Sequence, residues 1–516
     1  MPIKVNVRKN TYFDSVSLMS LSTKANQIEG IEQAVVAMGT EMNKGVLRNV
    51  GLLTPEVEAA GNGDLLIVVK AASEERSESA MAEVEALLDK QGKPKGGAGG
   101  EIRYATLASA AEHVAGANLA IISVPGEYAA REARAALERD LHVLLFSDNM
   151  SVEDEIALKK TAHDKGLLMM GPDCGTAIFG GVGLCFANAV RRGNIGIVGA
   201  SGTGSQEVSV RIHDFGGGIT QLIGTGGRDL SEAVGGIMML DGLRALANDP
   251  ATQVIVLVSK PPAKSVEKKV LAAVAECGKP VVVCFLGGTE EAVKKAGGHF
   301  ARTTKEAALQ AVILAGRKEA EINKRALNLP LIEEVRARLG PKQQYIRGLM
   351  CGGTLCEELS LLARESFPTS VYSNIAKDPA YRLEDVGRSR EHTFIDFGDD
   401  DFTLGRPHPM IDPSLRIERL LQEARDPSVG VIVLDFILGF GSHEDPVGVT
   451  LPAILQSQAL ARSEGRHLEI LAYVLGTEDD TPSLSEQTRK LTDAGVTLAS
   501  SCTNAGLLAR GFVAKK

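Results

Sequence analysis

The chain has 516 residues, enough for about three or four domains, and its 44% hydrophobic content is ample for real cores. A net charge of −9 leaves no basic footprint for nucleic acid, and 4% aromatic residues without Trp argue against stacking platforms for single strands or sugars. Seven Cys with no C-x-x-C pair fit a reducing cytoplasm, no apolar run is long enough to span a bilayer, and the first residues lack a signal-peptide core.

Residues 3–8 alternate as a strand, and Asp14 or Ser15 can cap a helix through Val16, Leu18 and Met19. Strands at 34–38 and 65–69, with helices at 43–49 and 77–88, complete a small α/β domain over 1–90. The glycine- and lysine-rich run 91–100 reads as a linker. From 101 to 190 the alternation is regular: helix 107–114, strand 119–124, helix 129–139, strand 143–146, helix 152–165, strand 167–170. Such repeats imply a doubly wound parallel sheet, whose ligands bind beyond the carboxyl ends of the strands. Ser123 to Gly126, Asp148, Asn149, Asp173 and Cys174 fall at such ends; Asp173-Cys174 also suits a plain strand-end turn, with Cys174 a small filler rather than a nucleophile.

The next domain, 191–316, opens with Gly193 to Glu207. Ile195, Ile197 and Val198 form a buried strand; Ser201, Gly202, Thr203 and Gly204 then turn the chain into a helix whose first amides lack internal partners. A small-residue turn feeding a helix N-terminus suits a phosphate or carboxylate. It is neither a P-loop, since no Gly-Lys-Ser/Thr follows, nor a G-x-G-x-x-G fingerprint. The alternative is a strand–helix turn that merely needs small residues. The device recurs at Gly352, Gly353 and Thr354, and in both copies a Glu follows the Thr by four residues, Thr203 to Glu207 and Thr354 to Glu358.

Strands at 221–223, 254–258 and 281–285 end in loops carrying Arg228-Asp229, Lys260 and Gly287-Gly288. Residues 317–339 read as a helical connector. The last domain, 341–516, repeats the plan, with strands at 349–350, 393–396, 431–436, 470–474 and 498–502. Its Asp399-Asp400-Asp401 run suits either Mg²⁺ or a helix-capping turn, and Gly405-Arg406-Pro407-His408-Pro409 puts a cation and an imidazole in a proline-stiffened loop.

These motifs carry a resemblance. Residues 103–188 are similar to the CoA-binding half of the succinyl-CoA synthetase α subunit, through Ser123-Val-Pro-Gly and Gly171-Pro-Asp-Cys-Gly. Residues 193–315 are similar to its ligase half, through Gly196-Ile-Val and Ser201-Gly-Thr, and 345–508 to the C-terminal ligase domain of the β subunit. With Phe13-Asp-Ser-Val-Ser-Leu-Met, Gly226-Gly-Arg-Asp-Leu-Ser, Val258-Ser-Lys-Pro-Pro-Ala and Gly405-Arg-Pro-His-Pro-Met-Ile-Asp-Pro, the arrangement resembles the FdrA family along nearly the full chain. The implied fold is several doubly wound parallel-sheet domains: one CoA-binding-like, two flavodoxin-type ligase domains, and the small N-terminal domain. In the synthetases two helices, one from each ligase domain, aim at one phosphate; here both come from one chain.

Departures qualify what the resemblance implies. His299 follows Gly297-Gly298 where the synthetases carry a phosphorylated His, but lacks the flanking small residues, and its alternative reading is a surface His at a helix end. Ser259-Lys260 replaces the Glu that steadies that imidazole, no ATP-grasp domain is present, and the glycine-rich unit that grips CoA is missing before Arg103. Whether CoA binds stays open, and no metal or other cofactor is implied.

The family is linked to oxamate carbamoyltransferase, which converts oxalurate and phosphate to oxamate and carbamoyl phosphate with the help of further subunits. Phosphate would lie between the two helix ends, with Lys260, Arg228 and Arg406 supplying positive charge and Asp229 or His408 moving a proton. Arg228 and Asp229 could instead be a local ion pair, and Lys260 merely solvated. The alternatives are an acyl-CoA synthetase acting with nucleotide-binding partners and a non-catalytic anion-binding scaffold. Each reading implies other subunits and a small anionic ligand, with homo-oligomerisation open.

Overall fold

The computed structural model describes residues 2–514 apart from 10, 12, 14, 27, 93–102 and 404–405. Most of the expected linker, the Asp14 cap and Gly405 therefore lie outside the described residues. The chain forms two compact units, Met1–Ala115 with Thr403–Pro407, and Gly116–Phe402 with His408–Lys516.

The first unit contains β1 (Ile3–Arg8), α1 (Ser15–Asn26), β2 (Ile31–Met38), α2 (Glu41–Asn49), α3 (Pro55–Glu58), β3 (Leu65–Ala71), α4 (Glu74–Gly92) and α5 (Leu107–His113). Its antiparallel sheet runs β1-β3-β2. Alternate residues of β3 serve two cores. Ile67 and Val69 pack with Leu21, Val84 and Leu88, while Leu66 and Val68 pack with Leu47, Leu52 and Val57.

The second unit opens with β4 (Leu119–Ile122), α6 (Gly126–Glu138), β5 (His142–Leu145), α7 (Val152–Lys165) and β6 (Met169–Met170), a parallel three-stranded sheet. A hairpin the sequence pattern did not reveal follows, β7 (Thr176–Phe179) and β8 (Val182–Cys185). It turns at Gly180 and Gly181, both at positive φ. The hairpin falls within the expected 101–190 segment, yet β7 pairs with a strand of the next sheet.

That sheet is built from β9 (Arg192–Gly199), α8 (Gly202–Asp214), β10 (Ile219–Gly224), α9 (Ile237–Asn248), β11 (Val254–Ser259), α10 (Lys264–Glu276), β12 (Val281–Phe285), α11 (Glu290–Lys295), β13 (His299–Phe300) and α12 (Thr304–Leu314). Helix α13 (Leu329–Arg338) connects to β14 (Tyr345–Met350), α14 (Gly353–Arg364), β15 (Val371–Ser373), β16 (His392–Asp396), α15 (Asp400–Thr403) and α16 (Ser414–Glu423). The chain ends with β17 (Val429–Ile437), α17 (Pro446–Ser463), β18 (Glu469–Leu475), α18 (Leu484–Asp493), β19 (Thr497–Ala499) and α19 (Cys502–Val513). The strand expected at 498–502 stops at Ala499 because Ser501 caps α19, its side chain accepting from the Asn504 amide.

The strand orders are β13-β12-β11-β9-β10-β7-β8 and β15-β16-β14-β17-β18-β19. Without the hairpin, the first is the flavodoxin-like arrangement. In both sheets the winding reverses beside the strand that feeds a Gly-Thr loop, since β9 lies between β10 and β11 and β14 between β16 and β17. Each Gly-Thr loop therefore occupies a topological switch point, where such sheets bind ligands.

The helices over the facing sides of the two sheets pack together, with Val210 of α8 in one core with Leu355, Leu359 and Leu508. Two buried glutamates lock this layer reciprocally. Glu207 of α8 accepts from the amide of Cys502, the first residue of α19, at 3.2 Å and from the Tyr473 hydroxyl. Glu358 of α14 accepts from the amide and hydroxyl of Thr304, the first residue of α12, at 3.1 and 2.7 Å, and from the Thr503 hydroxyl at 2.5 Å. The Glu that follows each Thr by four residues is thus a cross-domain helix cap.

Burial pushes the Glu358 pKa up to about 7 from 4.5, against the hydrogen bonds that favour its charge. The folded state then holds more protons than the unfolded one between these values, so this group's contribution to stability falls as pH rises from 4.5 to 7. Glu358→Gln, of the same shape and always neutral, should flatten that fall by roughly 3 kcal/mol. Urea unfolding at both ends of this window checks it; parallel losses in wild type and variant contradict it.

Candidate active site

The two Gly-Thr loops meet. The Ser201 hydroxyl hydrogen-bonds the Thr354 hydroxyl and also accepts from the Gly204 amide at 3.0 Å, capping α8. A β-carbon on Gly204 would come within 2.8 Å of Thr354 Cγ2, and one on Gly352 within 3.0 Å of Thr203. The small residues that suggested close approach to an anion also allow close approach of the loops to each other.

Both helices keep open amides at this junction. Gly352 caps α14 without a side-chain bond. Among the described residues, no protein group accepts from the amides of Gly202, Thr203, Gly353 or Thr354. The carboxylate of Asp435 takes the preceding amides, Cys351 at 2.7 Å and Gly352 at 3.0 Å, and is itself bonded to Arg416 at 3.0 Å. This buried pair fixes the loop without filling the helix end. Beside α8 lies the hydroxyl of Thr176, buried and without a partner, 3.6 Å from the β-carbon position of Gly202.

Charged groups border the junction. Lys260, just beyond β11, is 39% exposed and places Nζ 4.0 Å from Asp396 Oδ2 at the end of β16. Asp396 is buried, its Oδ1 accepts from the Gly398 amide at 2.9 Å, and Asn374 bonds its main chain on both sides at 2.9 and 3.0 Å. Burial raises its pKa to about 6, with Lys260 opposing and Asp399 and Asp435 adding. Asp173 sits in the left-handed region at φ 55 after β6, and Gly226, at φ 87, lets the β10 loop press on Pro172. The Asp173 side chain opens to solvent. Even so, the protein packed around it, then Asp148, push its pKa up to about 7, with Lys260 opposing and Asp400 and Asp396 adding.

Other expected residues are committed elsewhere. Asp229 is a correction: its carboxylate is fully buried, bonded to Lys159 at 2.8 Å and to the amides of Met238 and Met239 at 3.3 and 2.9 Å, so it caps α9 and cannot carry a proton to a ligand. Arg228 does not pair with Asp229; its Nε meets Glu155 at 3.0 Å and its Nη2 the Met150 carbonyl at 2.9 Å, which ties it to the α7 end. His299 is also corrected. It stands exposed on the edge strand β13, opposite Val282 near the start of β12, away from the carboxyl ends where the Gly-Thr loops lie. Cys174 is a buried filler whose thiol burial pushes up to about 12, far from a thiolate at neutral pH.

His408 Nδ1 accepts from the Met410 amide at 3.2 Å, and its ring lies 5.8 Å from that of Phe186. Burial lowers its pKa to about 4, so at neutral pH it is an uncharged ring whose Nε2 donates. Arg406 is exposed within 403–407, the segment grouped with the first unit, its amide bonded to the Thr403 carbonyl at 3.0 Å. In the Asp399–Asp401 run, Asp399 accepts from the Asp401 amide at 3.3 Å at the start of α15, as a capping turn does. Sequence reasoning missed Asp396, Asp435 and Thr176. The signal for Asp435 was a carboxylate inside the apolar run Val431 to Phe436.

Comparison with known proteins accords with this architecture. Residues 190–287 match the CoA binding domain family and 349–512 the CoA-ligase family. Residues 1–104 match a family described as AllF, heavy metal-associated domain, although this stretch contains no cysteine to supply a thiolate. The CoA-binding match starts at the strand feeding the first Gly-Thr loop, downstream of the 101–190 segment expected to carry it. The succinate–CoA ligase [ADP-forming] subunit alpha of Staphylococcus aureus is 27% identical over 222 residues, 42% of this chain and 69% of that one. Among solved structures, the dinucleotide-forming acetyl-coenzyme A synthetase 1 of Ca. Korarchaeum cryptofilum aligns over 86% of this chain and 93% of its own at 14% identity, with a TM-score of 0.36.

Fold and sequence together define the class of proteins that carry a CoA-binding and a CoA-ligase domain in a succinyl-CoA synthetase-like fold. Within that class the chain belongs to the family of Escherichia coli YahF, an uncharacterised protein 63% identical over 515 residues, 100% of this chain and 99% of that one.

Asp229→Asn should destabilise the second unit by roughly 2–3 kcal/mol, the cost of weakening a buried charge-assisted pair. Denaturant unfolding checks this; unchanged stability would show that the α9 cap is dispensable.

Proposed function

We propose that this chain is a cytoplasmic subunit of an enzyme that handles an acyl phosphate, and that its reaction is carbamoyl transfer between oxalurate and phosphate to give oxamate and carbamoyl phosphate. The observation that carries the reading is the pair of open helix N-termini abutting at Ser201 and Thr354, with Lys260 beside them. Two such ends, each worth up to ~2 kcal/mol toward an anion when partly buried, offset much of a phosphate's desolvation. The amides of Gly202, Thr203, Gly353 and Thr354 would bind phosphate oxygens, and Lys260 would meet the charge that develops during transfer. The AllF match over 1–104 agrees with this assignment.

A second reading, an acid–thiol ligase working with nucleotide-binding partners, is favoured by the CoA-binding and CoA-ligase matches and by a relative that is itself named as a ligase subunit. The two separate in one assay. The full chain, with its co-expressed partner subunits, is given oxalurate and phosphate in one arm and CoA, ATP and a carboxylic acid in the other. Carbamoyl phosphate in the first arm supports the transferase; a thioester only in the second overturns it. Gly202→Val, whose β-carbon would meet only Thr176 Oγ1, at 3.6 Å, should keep the fold and lower kcat/KM for phosphate by about 10²-fold, the scale of losing an oxyanion donor. Unchanged phosphate kinetics would count against the cradle.

A further inference from the structure

Two glycines near the junction lack side chains because other groups occupy that space. A β-carbon on Gly353 would lie 2.3 Å from Asp396 Oδ2 and 2.7 Å from Lys260 Nζ. One on Gly398 would lie 2.6 Å from His408 Nε2 and 3.1 Å from Asp396 Oδ1. The Asp396 carboxyl is therefore wedged between the first residue of α14 and Gly398. Its Oδ1 is held by the Gly398 amide, whereas Oδ2 faces Lys260 and has no hydrogen-bond donor among the described residues. Asn374 grips the main chain on both sides, so the side chain starts from a fixed point. A rigidly mounted, buried carboxyl with one oxygen free of hydrogen bonds and facing Lys260 at an open helix end is arranged to act on a ligand there.

We propose that Asp396 is a catalytic acid–base residue of the phosphate site, with Lys260 holding both its carboxyl and the phosphate. The proposal rests on the carbamoyl-transfer reading. A phosphate oxygen attacks the carbamoyl carbon of oxalurate; the new O–C bond forms as the phosphate hydroxyl gives its proton to the Asp396 carboxylate. The C–N bond then breaks, its electron pair goes to the nitrogen of the departing oxamate, and Asp396 returns the proton to that nitrogen. The net change is one proton moved from phosphate to amide, so Asp396 ends as it began and no further reactant is needed.

The surroundings suit this cycle. Lys260 faces the carboxyl from the β11 loop, Asp435 from β17, Asp399 from its own loop and Asp173 from the β6 loop, with the thiols of Cys351 and Cys356 on the α14 side and neutral His408 over Gly398. The carboxyl groups and burial raise its proton affinity while Lys260 lowers it, which leaves the group able to take and release a proton near neutral pH.

The test uses the full chain with its partner subunits. Asp396→Asn should lower kcat by at least about 10²-fold while the KM for phosphate moves less than about threefold, and Asp396→Glu should recover part of the loss. Gly353→Ala, which displaces the carboxyl without removing it, should give the same kcat loss and serves if Asp396→Asn fails to fold. Calorimetry of inorganic phosphate binding to the full chain at pH 7, in two buffers of different ionisation heat, provides a readout apart from turnover. Wild type should take up roughly half a proton more than Asp396→Asn, because a bound dianion raises the affinity of the carboxylate for its proton. A near-normal kcat in either variant, equal proton uptake by wild type and Asp396→Asn, or no phosphate binding to wild type overturns the proposal. A wild-type complex that binds phosphate but makes no carbamoyl phosphate sinks the carbamoyl reading alone, and proton uptake then decides Asp396.

Discussion

The reciprocal capping by Glu207 and Glu358 is the constraint on which the rest of the second unit depends. Each glutamate lies one turn inside the helix that follows a Gly-Thr loop, and each reaches across to the first amide of the closing helix of the other sheet. A buried carboxyl that lost its partners would cost several kcal/mol, so neither helix can slide or rotate without exposing that cost. Glu207 also adds to the upward push that burial gives the Glu358 proton affinity. Directional hydrogen bonds to two helix ends hold the arrangement, with Arg211 3.9 Å from Glu207 as a charged neighbour of opposite sign. Its consequence lies one turn earlier in each helix, where the two open N-termini are brought to a single point.

Part of this was legible in the sequence. Apolar runs bounded by glycine turns identified the central strands of both ligase-like sheets, because strands buried on both faces need no polar alternation, but not the short edge strands β13 and β15. The repeated spacing from Thr203 to Glu207 and from Thr354 to Glu358 flagged the two loops as equivalents, but not what the glutamates do, since their partners lie 295 and 54 residues away. Roles set by distant partners were illegible for the same reason. Asp229 lies in the loop after β10 and Asp396 ends β16; only the fold gives one to Lys159 and the α9 amides and leaves the other with an oxygen free of hydrogen bonds among the described residues. The β7–β8 hairpin was missed because its strands are only four residues each, too short for a period to register. His299 is the surface His that its alternative reading gave, since sequence position alone does not tell which end of the sheet a residue reaches.

The charge around the junction runs against a simple cationic pocket. Lys260 stands among Asp173, Asp396, Asp399 and Asp400, while Arg228 is spent on Glu155. An anion held there must draw most of its stabilisation from backbone amides, whose partial charges are fixed by helix geometry and carry no counter-ions to displace. Carboxyls whose proton affinity has been raised can neutralise themselves when an anion arrives, so their presence need not repel it. A site of this kind couples anion binding to proton capture, which a ring of arginines cannot do because guanidinium groups stay charged throughout.

Both switch points belong to one chain, and this changes the energetics of assembling the site. The staphylococcal ligase subunit aligns over 222 residues, 42% of the chain, too few to span both sheets, which run from Thr176 to Ala499. When the halves are separate molecules, bringing two helix ends together costs the translational and rotational freedom of a binding event. Joined through the α13 connector, the second half is held near the first at high effective concentration, and the loops occur in equal number by construction. The contact surface between the halves can then be shaped for the alignment of the two N-termini rather than for affinity. The use of buried carboxyls there fits that freedom, since such groups fix geometry well while adding little net stability.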